Sequence, residues 1–207
     1  MQLTPEQQIA YDKAVIQRQN IFITGSGGVG KSVIIKKIFE TLKKQVNIAL
    51  TSLTGISSNL IGGQTIHSYL GLGLGVSSYE KLLNKITNSK TLFYRWKKLQ
   101  VLIIDEISMM NIELFEKICK LANKIRNSNA PMGGIQLILS GDFLQLKPVK
   151  SDKFCFESLY WSECIPISNI IYLKTIMRQN DVEFIKLLNQ IRINEINDNI
   201  KHILQDR

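Results

Sequence analysis

The octapeptide Gly25-Ser26-Gly27-Gly28-Val29-Gly30-Lys31-Ser32 constrains this chain more than any other feature. It satisfies G-x-x-x-x-G-K-[ST], a pattern that works only where a strand runs into a glycine-rich loop and the loop opens a helix. Both flanks comply: Asn20–Thr24 is short and apolar, and "VIIKKIFETLKK" has helical character. Gly25, Gly27, Gly28 and Gly30, with Ser26 and Val29 between them, let backbone N–H groups converge on phosphate oxygens, and the helix N-terminus adds a favourable partial charge. Lys31 is then expected to reach the β- and γ-phosphates and Ser32 to ligate Mg²⁺. The chain is expected to bind a nucleoside triphosphate with its magnesium ion.

A strand, loop and helix of this kind need a parallel sheet around them, and the remaining pattern supplies one. Val46–Thr51, Val101–Ile104, Ile135–Ser140 and Ile170–Leu173 are rich in Ile and Val and apolar on both faces, as strands covered by helices on each side must be. Ile112, Phe115, Ile118, Ala122 and Ile125 recur at helical spacing, as do Phe184, Leu187, Leu188 and Ile191. The expected fold class is α/β, a mainly parallel sheet with helices on both faces, whose ligands lie beyond the carboxyl ends of the strands. At 207 residues one domain is expected. No apolar run is long enough to span a bilayer, and no secretory leader is expected at Met1. Three cysteines without a Cys-x-x-Cys pair fit a reducing, intracellular compartment better than a disulfide framework or a zinc site. The net charge of +9 favours a polyanionic partner.

Each strand end can be read for chemistry. "VLIIDEIS" places Asp105 and Glu106 after four apolar residues, where Asp105 would hold the Mg²⁺ shell and Glu106 would orient and deprotonate the attacking water. A solvated acidic pair opening a helix at Asn111 is the competing reading. The strand 135–140 is expected beside the phosphate-loop strand, and its continuation "GDFLQLKPV" then aims Asp142 and Gln145 at the γ-phosphate or the water. Asp142 capping a turn and Gln145 bonding the backbone is the alternative. Residues 50–73, "LTSLTGISSNLIGGQTIHSYLGLG", carry small hydroxyls and glycines where an ordinary crossover would carry charge. Such residues, among them Thr54, Gly55, Thr65 and Ser68, suit close approach to a sugar-phosphate chain, and His67 suits stacking on a base. A loop with a satisfied histidine is the competing reading.

The ordered set "LTPEQ", "GSGGVGKS", residues 51–73, "LIIDEISMM", "GGIQLILSGDFLQLKPV", "FCFES..W" and "TIMRQND..FIKLLNQIR" resembles the first RecA-like domain of the petite-frequency (PIF-type) DNA helicases, in the RecD-like branch of superfamily one. The resemblance covers almost the whole chain. It implies ATP-driven 5′ to 3′ translocation along single-stranded DNA, unwinding of forked duplex DNA, and a second RecA-like domain C-terminal to this one that supplies a further arginine. It also implies that Gln7 reads adenine, that Gln145 couples the γ-phosphate to DNA and that Arg178 touches the γ-phosphate. Gln7 retains the reading of a capping-box residue behind Thr4 and Pro5, and Arg178 that of an ion pair. Trp96 and Trp161 match the family as well, with packing as their expected role.

Two departures stand out. Lys147 replaces a proline in "QLKPV", loosening the loop and offering a phosphate contact, and residues 76–98, the place of a strand-splitting insertion, are short and basic, expected to form a helix and a loop. The sequence after Ile191 has no room for a second sheet, so the chain is expected to be half of a motor. A DNA-binding or loader ATPase that does not unwind, and a nucleotide-binding scaffold, are the competing functions.

Overall fold

A computed structural model describes residues 2–149, 151–176 and 182–195. Its centre is a parallel sheet of β1 (Ile21–Thr24), β2 (Ile48–Ser52), β3 (Gln64–Thr65), β4 (Val101–Asp105), β5 (Gln136–Ser140) and β6 (Ile170–Tyr172), in the order β3-β2-β4-β5-β1-β6. The expected strands are present with ends shifted by a residue or two, and β5 lies beside β1 as anticipated. Ile23 pairs with Ser140, Leu139 with Ile104, and Ser52 with Asp105, so the carboxyl ends of four adjacent strands finish level. The short two-residue β3 was not anticipated.

Because successive side chains point to opposite faces, each strand feeds two cores. Val101 and Ile103 enter one, with Ile21, Ile23 and Ile138, while Leu102 and Ile104 enter the other, with Phe22, Leu137 and Leu139. The first core is closed by α1 (Pro5–Tyr11), its π-helical continuation, α2 (Lys31–Leu42) and α3 (Gly55–Ile61). The second is closed by α4 (Ile66–Leu70), α5 (Tyr79–Asn88), α6 (Lys90–Lys98), α7 (Ile112–Arg126) and α8 (Leu159–Cys164). The last helix among the described residues, α9, spans Val182–Arg192.

The helix α7 begins at the Asn111 N-cap and buries Phe115, Ile118, Ala122 and Ile125, the expected stripe. In α9, Leu187 is buried and Leu188 is exposed, while the side chain of Phe184 lies outside the described residues. Residues 79–98 form two helices rather than one helix and a loop. Ser89 ends α5 and caps α6, accepting from Leu92 N–H at 3.4 Å. Their inner faces bury Leu82, Ile86 and Trp96, which also fixes Trp96 as a packing residue; its indole N–H donates to the Leu70 carbonyl at 3.1 Å. Trp161 packs against Phe22, Phe115 and Phe143.

Candidate active site

The phosphate-type loop leaves β1 with Gly25 at φ 143°, where a Cβ would stand 2.5 Å from the Leu173 carbonyl oxygen on the β6 side. Gly28 and Gly30 also have positive φ, at 81° and 83°, and Gly30 is the left-handed N-cap of α2. These are conformations that a side chain would strain. Val29 turns into the core, Ser26 is half-buried, and Lys31 and Ser32 form the first turn of α2, Ser32 exposed. The Lys31 ammonium donates to the carbonyls of Gly25 at 2.8 Å and Ser26 at 3.0 Å. Burial pushes its pKa down, opposed by the negative charges of Asp142, Glu106 and Asp105.

Gln7 serves the helix end and the loop together. Its Oε1 accepts from Thr4 N–H at 3.2 Å and its N–H donates to Thr4 Oγ1 at 3.3 Å, completing the capping box. Its Nε2 donates to the Gly30 carbonyl at 3.4 Å, so the cap also touches the phosphate-type loop.

Asp105 closes β4 and is buried; burial pushes its carboxyl up, while Ser140, the Glu106 N–H and Lys31 pull it back. Glu106 follows at φ 56°, ψ 41°, a left-handed conformation that glutamate rarely adopts. Burial pushes the Glu106 carboxyl up, Asp105 and Asp142 push it further, and Lys31 opposes. The loop beyond β5 comes close beside this turn: a Cβ on Gly141 would lie 3.0 Å from the Ile107 nitrogen.

Asp142 is buried and carries three partners. Its Oδ1 accepts from Leu144 N–H at 3.2 Å, the turn cap of the alternative reading, and its Oδ2 accepts from Gln145 Nε2 at 3.0 Å, so the Gln145 amide meets a side chain and not the backbone. Arg192, the last residue of α9, donates from Nε to Oδ2 at 2.7 Å and from Nη2 to Oδ1 at 2.8 Å. Burial would push Asp142 up; Arg192, the Leu144 N–H and Lys31 outweigh it and hold the carboxyl below the usual range. Gln145 is exposed, and its Nε2 lies 4.0 Å from where a Cβ of residue 27 would stand, over the loop. Phe143 anchors this turn from the other side, edge-on to Phe156 at 4.7 Å and close to Phe154 and Trp161.

Of the residues picked out for DNA, Thr54, Gly55, Thr65, His67 and Ser68 lie at or beyond the ends of β2 and β3, and Lys147 lies apart from them in sequence, after β5. Thr54 caps α3, accepting from Ser57 N–H at 3.1 Å, and Thr65 caps α4, accepting from Ser68 N–H at 3.2 Å. Thr54 Oγ1 also bonds Ser57 Oγ, which lies 2.8 Å from Ser52 Oγ; Ser52 in turn donates to the Asp105 carbonyl at 3.2 Å. A hydroxyl chain therefore runs from the start of α3 to the end of β4. Gly55 and Ser68 are exposed, and His67 is half-buried, its pKa lowered by burial, with Nε2 3.0 Å from the Cβ position of residue 75. Lys147 is exposed on the loop after β5.

Lys31, Asp105, Glu106, Asp142 and Gln145 thus surround one point at the ends of β1, β4 and β5, while Arg178 lies outside the described residues. Arg192 was not among the residues expected here. It closes the segment "FIKLLNQIR", but nothing local in the sequence marks its role, since its partner lies 50 positions away. No described helix is long and apolar enough to cross a membrane.

The chain and its fold are similar to known proteins. A model of the PIF1-like helicase family matches residues 2–205. The ATP-dependent DNA helicase RRM3 of Saccharomyces cerevisiae is 42% identical over 213 residues, covering 99% of this chain and 29% of the relative. The crystal structure of Pif1 helicase from Candida albicans superposes with a TM-score of 0.92 at 42% identity, covering 97% of this chain and 46% of that one. Pif1 helicase from Bacteroides, in complex with ADP-AlF3 and ssDNA, gives a TM-score of 0.84 at 32% identity, covering 97% and 48%. The chain accordingly spans less than a third of that curated relative and about half of each solved chain. A glycine loop, a paired carboxylate and a glutamine turn on one parallel sheet, matched almost end to end by one family model, place the chain in the PIF1-like helicase family.

Proposed function

We propose that this domain binds ATP with Mg²⁺ at the ends of β1, β4 and β5, hydrolyses the γ-phosphate bond, and couples the cycle to 5′ to 3′ movement along single-stranded DNA and unwinding of forked duplex. The observation that carries the reading is the convergence of Lys31, Asp105, Glu106 and the Asp142–Gln145 turn on one point, with the hydroxyl-lined start of α3 joined to Asp105 beside it. The relative solved with ADP-AlF3 and ssDNA supports both ligands.

Backbone N–H groups of Gly27–Lys31 and the α2 N-terminus hold phosphate oxygens. Lys31 exchanges its two carbonyl partners for the β- and γ-phosphates, and Gln7, touching Gly30, stands at the loop's far end for adenine. Ser32 and Asp105 are the oxygen donors that suit Mg²⁺, and a buried carboxylate whose charge is disfavoured gains from a cation. Bound there, Mg²⁺ would neutralise charge developing on the β- and γ-oxygens. Glu106, with its raised pKa, takes the proton of the attacking water, and Gln145 orients that water. Arg178 adds charge at the γ-phosphate. The strand of DNA runs over Thr54, Gly55, Thr65, His67 and Ser68, with Lys147 on its phosphates. The work is done inside the cell, wherever the DNA is.

Lys31→Ala and Glu106→Gln test the assignment together. The first should lose ATP binding, and the second should bind ATP but not turn it over. Equal ATP affinity in wild type and Lys31→Ala would sink it. ATP turnover stimulated by DNA, with no strand displacement when the full-length protein is given a 5′-tailed duplex, would favour a loader over a helicase.

A further inference from the structure

We propose that Arg192 is a positioning residue for ATP turnover: its clamp on Asp142 decides which end of the Gln145 amide faces the nucleotide. The inference rests on the reading of Gln145 given above. Both guanidinium contacts, at 2.7 and 2.8 Å, are charge-assisted and parallel, so the fork fixes the plane of the carboxylate as well as its place. The pair is withdrawn from water, with 1% of the Asp142 side chain and 15% of the Arg192 side chain exposed. An ionised carboxylate only accepts hydrogen bonds. Its Oδ2 therefore takes the NH₂ end of Gln145 at 3.0 Å, and the amide oxygen is turned the other way, free to accept from a water. The two ends of an amide are nearly identical in shape, so the partner's chemistry, not packing, selects the orientation. Gln145 is exposed, and Asp142 is the side chain that holds its amide among the described contacts. Remove Arg192 and one backbone contact, Leu144 N–H to Oδ1 at 3.2 Å, is left to hold the carboxylate, whose plane can then turn toward the Lys31 ammonium, which attracts it. Gln145 then loses the acceptor that sets it. The clamp also ties the last turn of α9 to the strand end that carries the chemistry.

A double-mutant cycle on DNA-stimulated ATP turnover tests this. Arg192→Ala and Gln145→Ala should each lower kcat by roughly 10- to 100-fold, the loss that misplacing a reacting group by about 1 Å produces, with KM for ATP nearly unchanged. Because Arg192 acts through Gln145, the double variant should turn over no more slowly than Gln145→Ala alone. Arg192→Lys, a charge without the fork, should recover only part of the rate. Multiplying losses, or a raised KM with kcat retained, would overturn the proposal. The Gln145 side-chain NH₂ resonances, followed by ¹⁵N NMR, give a reading independent of turnover. They should shift in Arg192→Ala while the amide signals of β1, β4 and β5 stay in place, and an unchanged NH₂ pair overturns the clamp. Absent turnover in the wild type would count against the proposed function, while the NH₂ signal still decides the clamp.

Discussion

Glu106 holds a backbone conformation, φ 56° and ψ 41°, that costs a non-glycine residue about 1–3 kcal/mol. The close pass of Gly141 beside residue 107 helps hold it there. Asparagine tolerates this region better. Glu106→Asn should therefore raise stability by roughly 1 kcal/mol in urea denaturation while abolishing ATP turnover; a less stable variant would remove the case for strain at this position. The same residue sets a pH dependence. A base must be ionised, and burial with Asp105 pushes the Glu106 carboxyl of the free protein above its ordinary value of 4.5, so kcat/KM for ATP, which reports the free protein, should fall on acidification through an inflection above that value. An inflection at or below it would mean that another group limits the rate. The placement of Asp105 and Glu106 was legible from the sequence because a short apolar strand delivers polar residues abruptly, and such a break in pattern means a strand end, while Lys31 was placed by the glycine-loop pattern. The role of Arg192 was not legible, since what distinguishes it is a partner beyond the end of β5, 50 positions away from its helix, and no periodicity encodes that.

Elements behave similarly. Long or fully apolar segments, β1, β4, β5 and α7, announced themselves, while the 50–73 segment read as one polar stretch although it folds into α3, β3 and α4. Its helices are only five to seven residues long, too short for periodicity to build, and are defined instead by Thr54 and Thr65 caps and by left-handed Gly62 and Gly71 at their ends. These caps affect the DNA test. Thr54→Ala should cost about 1 kcal/mol through the lost cap alone, so weakened oligo-dT binding counts as a DNA contact only if Thr54→Ser, which keeps the hydroxyl, also binds normally. Lys147→Glu lacks this complication: it should weaken oligo-dT binding and reduce the salt slope by roughly one while ATP affinity holds. An unchanged slope would place the strand away from the loop after β5. The attachment of α9 has its own signature. Breaking the withdrawn Asp142–Arg192 pair with Arg192→Ala should cost about 3 kcal/mol near neutral pH. Asp142 has a lowered pKa in the fold, so this contribution is present above the ordinary aspartate value and is lost as pH falls through the lowered one. Denaturation midpoints of wild type and variant should therefore converge in acid; a constant gap would show that the pair's charge is irrelevant to the attachment.

At the scale of the whole molecule, the site is built on a single sheet and faces outward from the ends of its strands. Phosphoryl transfer in related sites gains roughly 10³ to 10⁵ in rate from an arginine that reaches the γ-phosphate across a domain boundary. Arg192, which the described residues bring to this site, is committed to Asp142. The solved relatives are about twice the length matched here, the present chain covering 46% and 48% of theirs. On the function proposed above, a second RecA-like domain would close over the nucleotide and meet Lys31, Glu106 and Gln145. The polypeptide of 207 residues should then fold alone, since both faces of its sheet are already covered by helices. It should bind ATP·Mg²⁺, hydrolyse it slowly and fail to separate strands, and joining it to such a domain should raise turnover by orders of magnitude and bring unwinding with it. Strand displacement on a 5′-tailed duplex decides the matter. Robust, ATP-dependent unwinding by the 207-residue polypeptide would require either that a second copy lends the missing arginine, visible as a rate that rises with the square of protein concentration, or that one domain suffices for the motor.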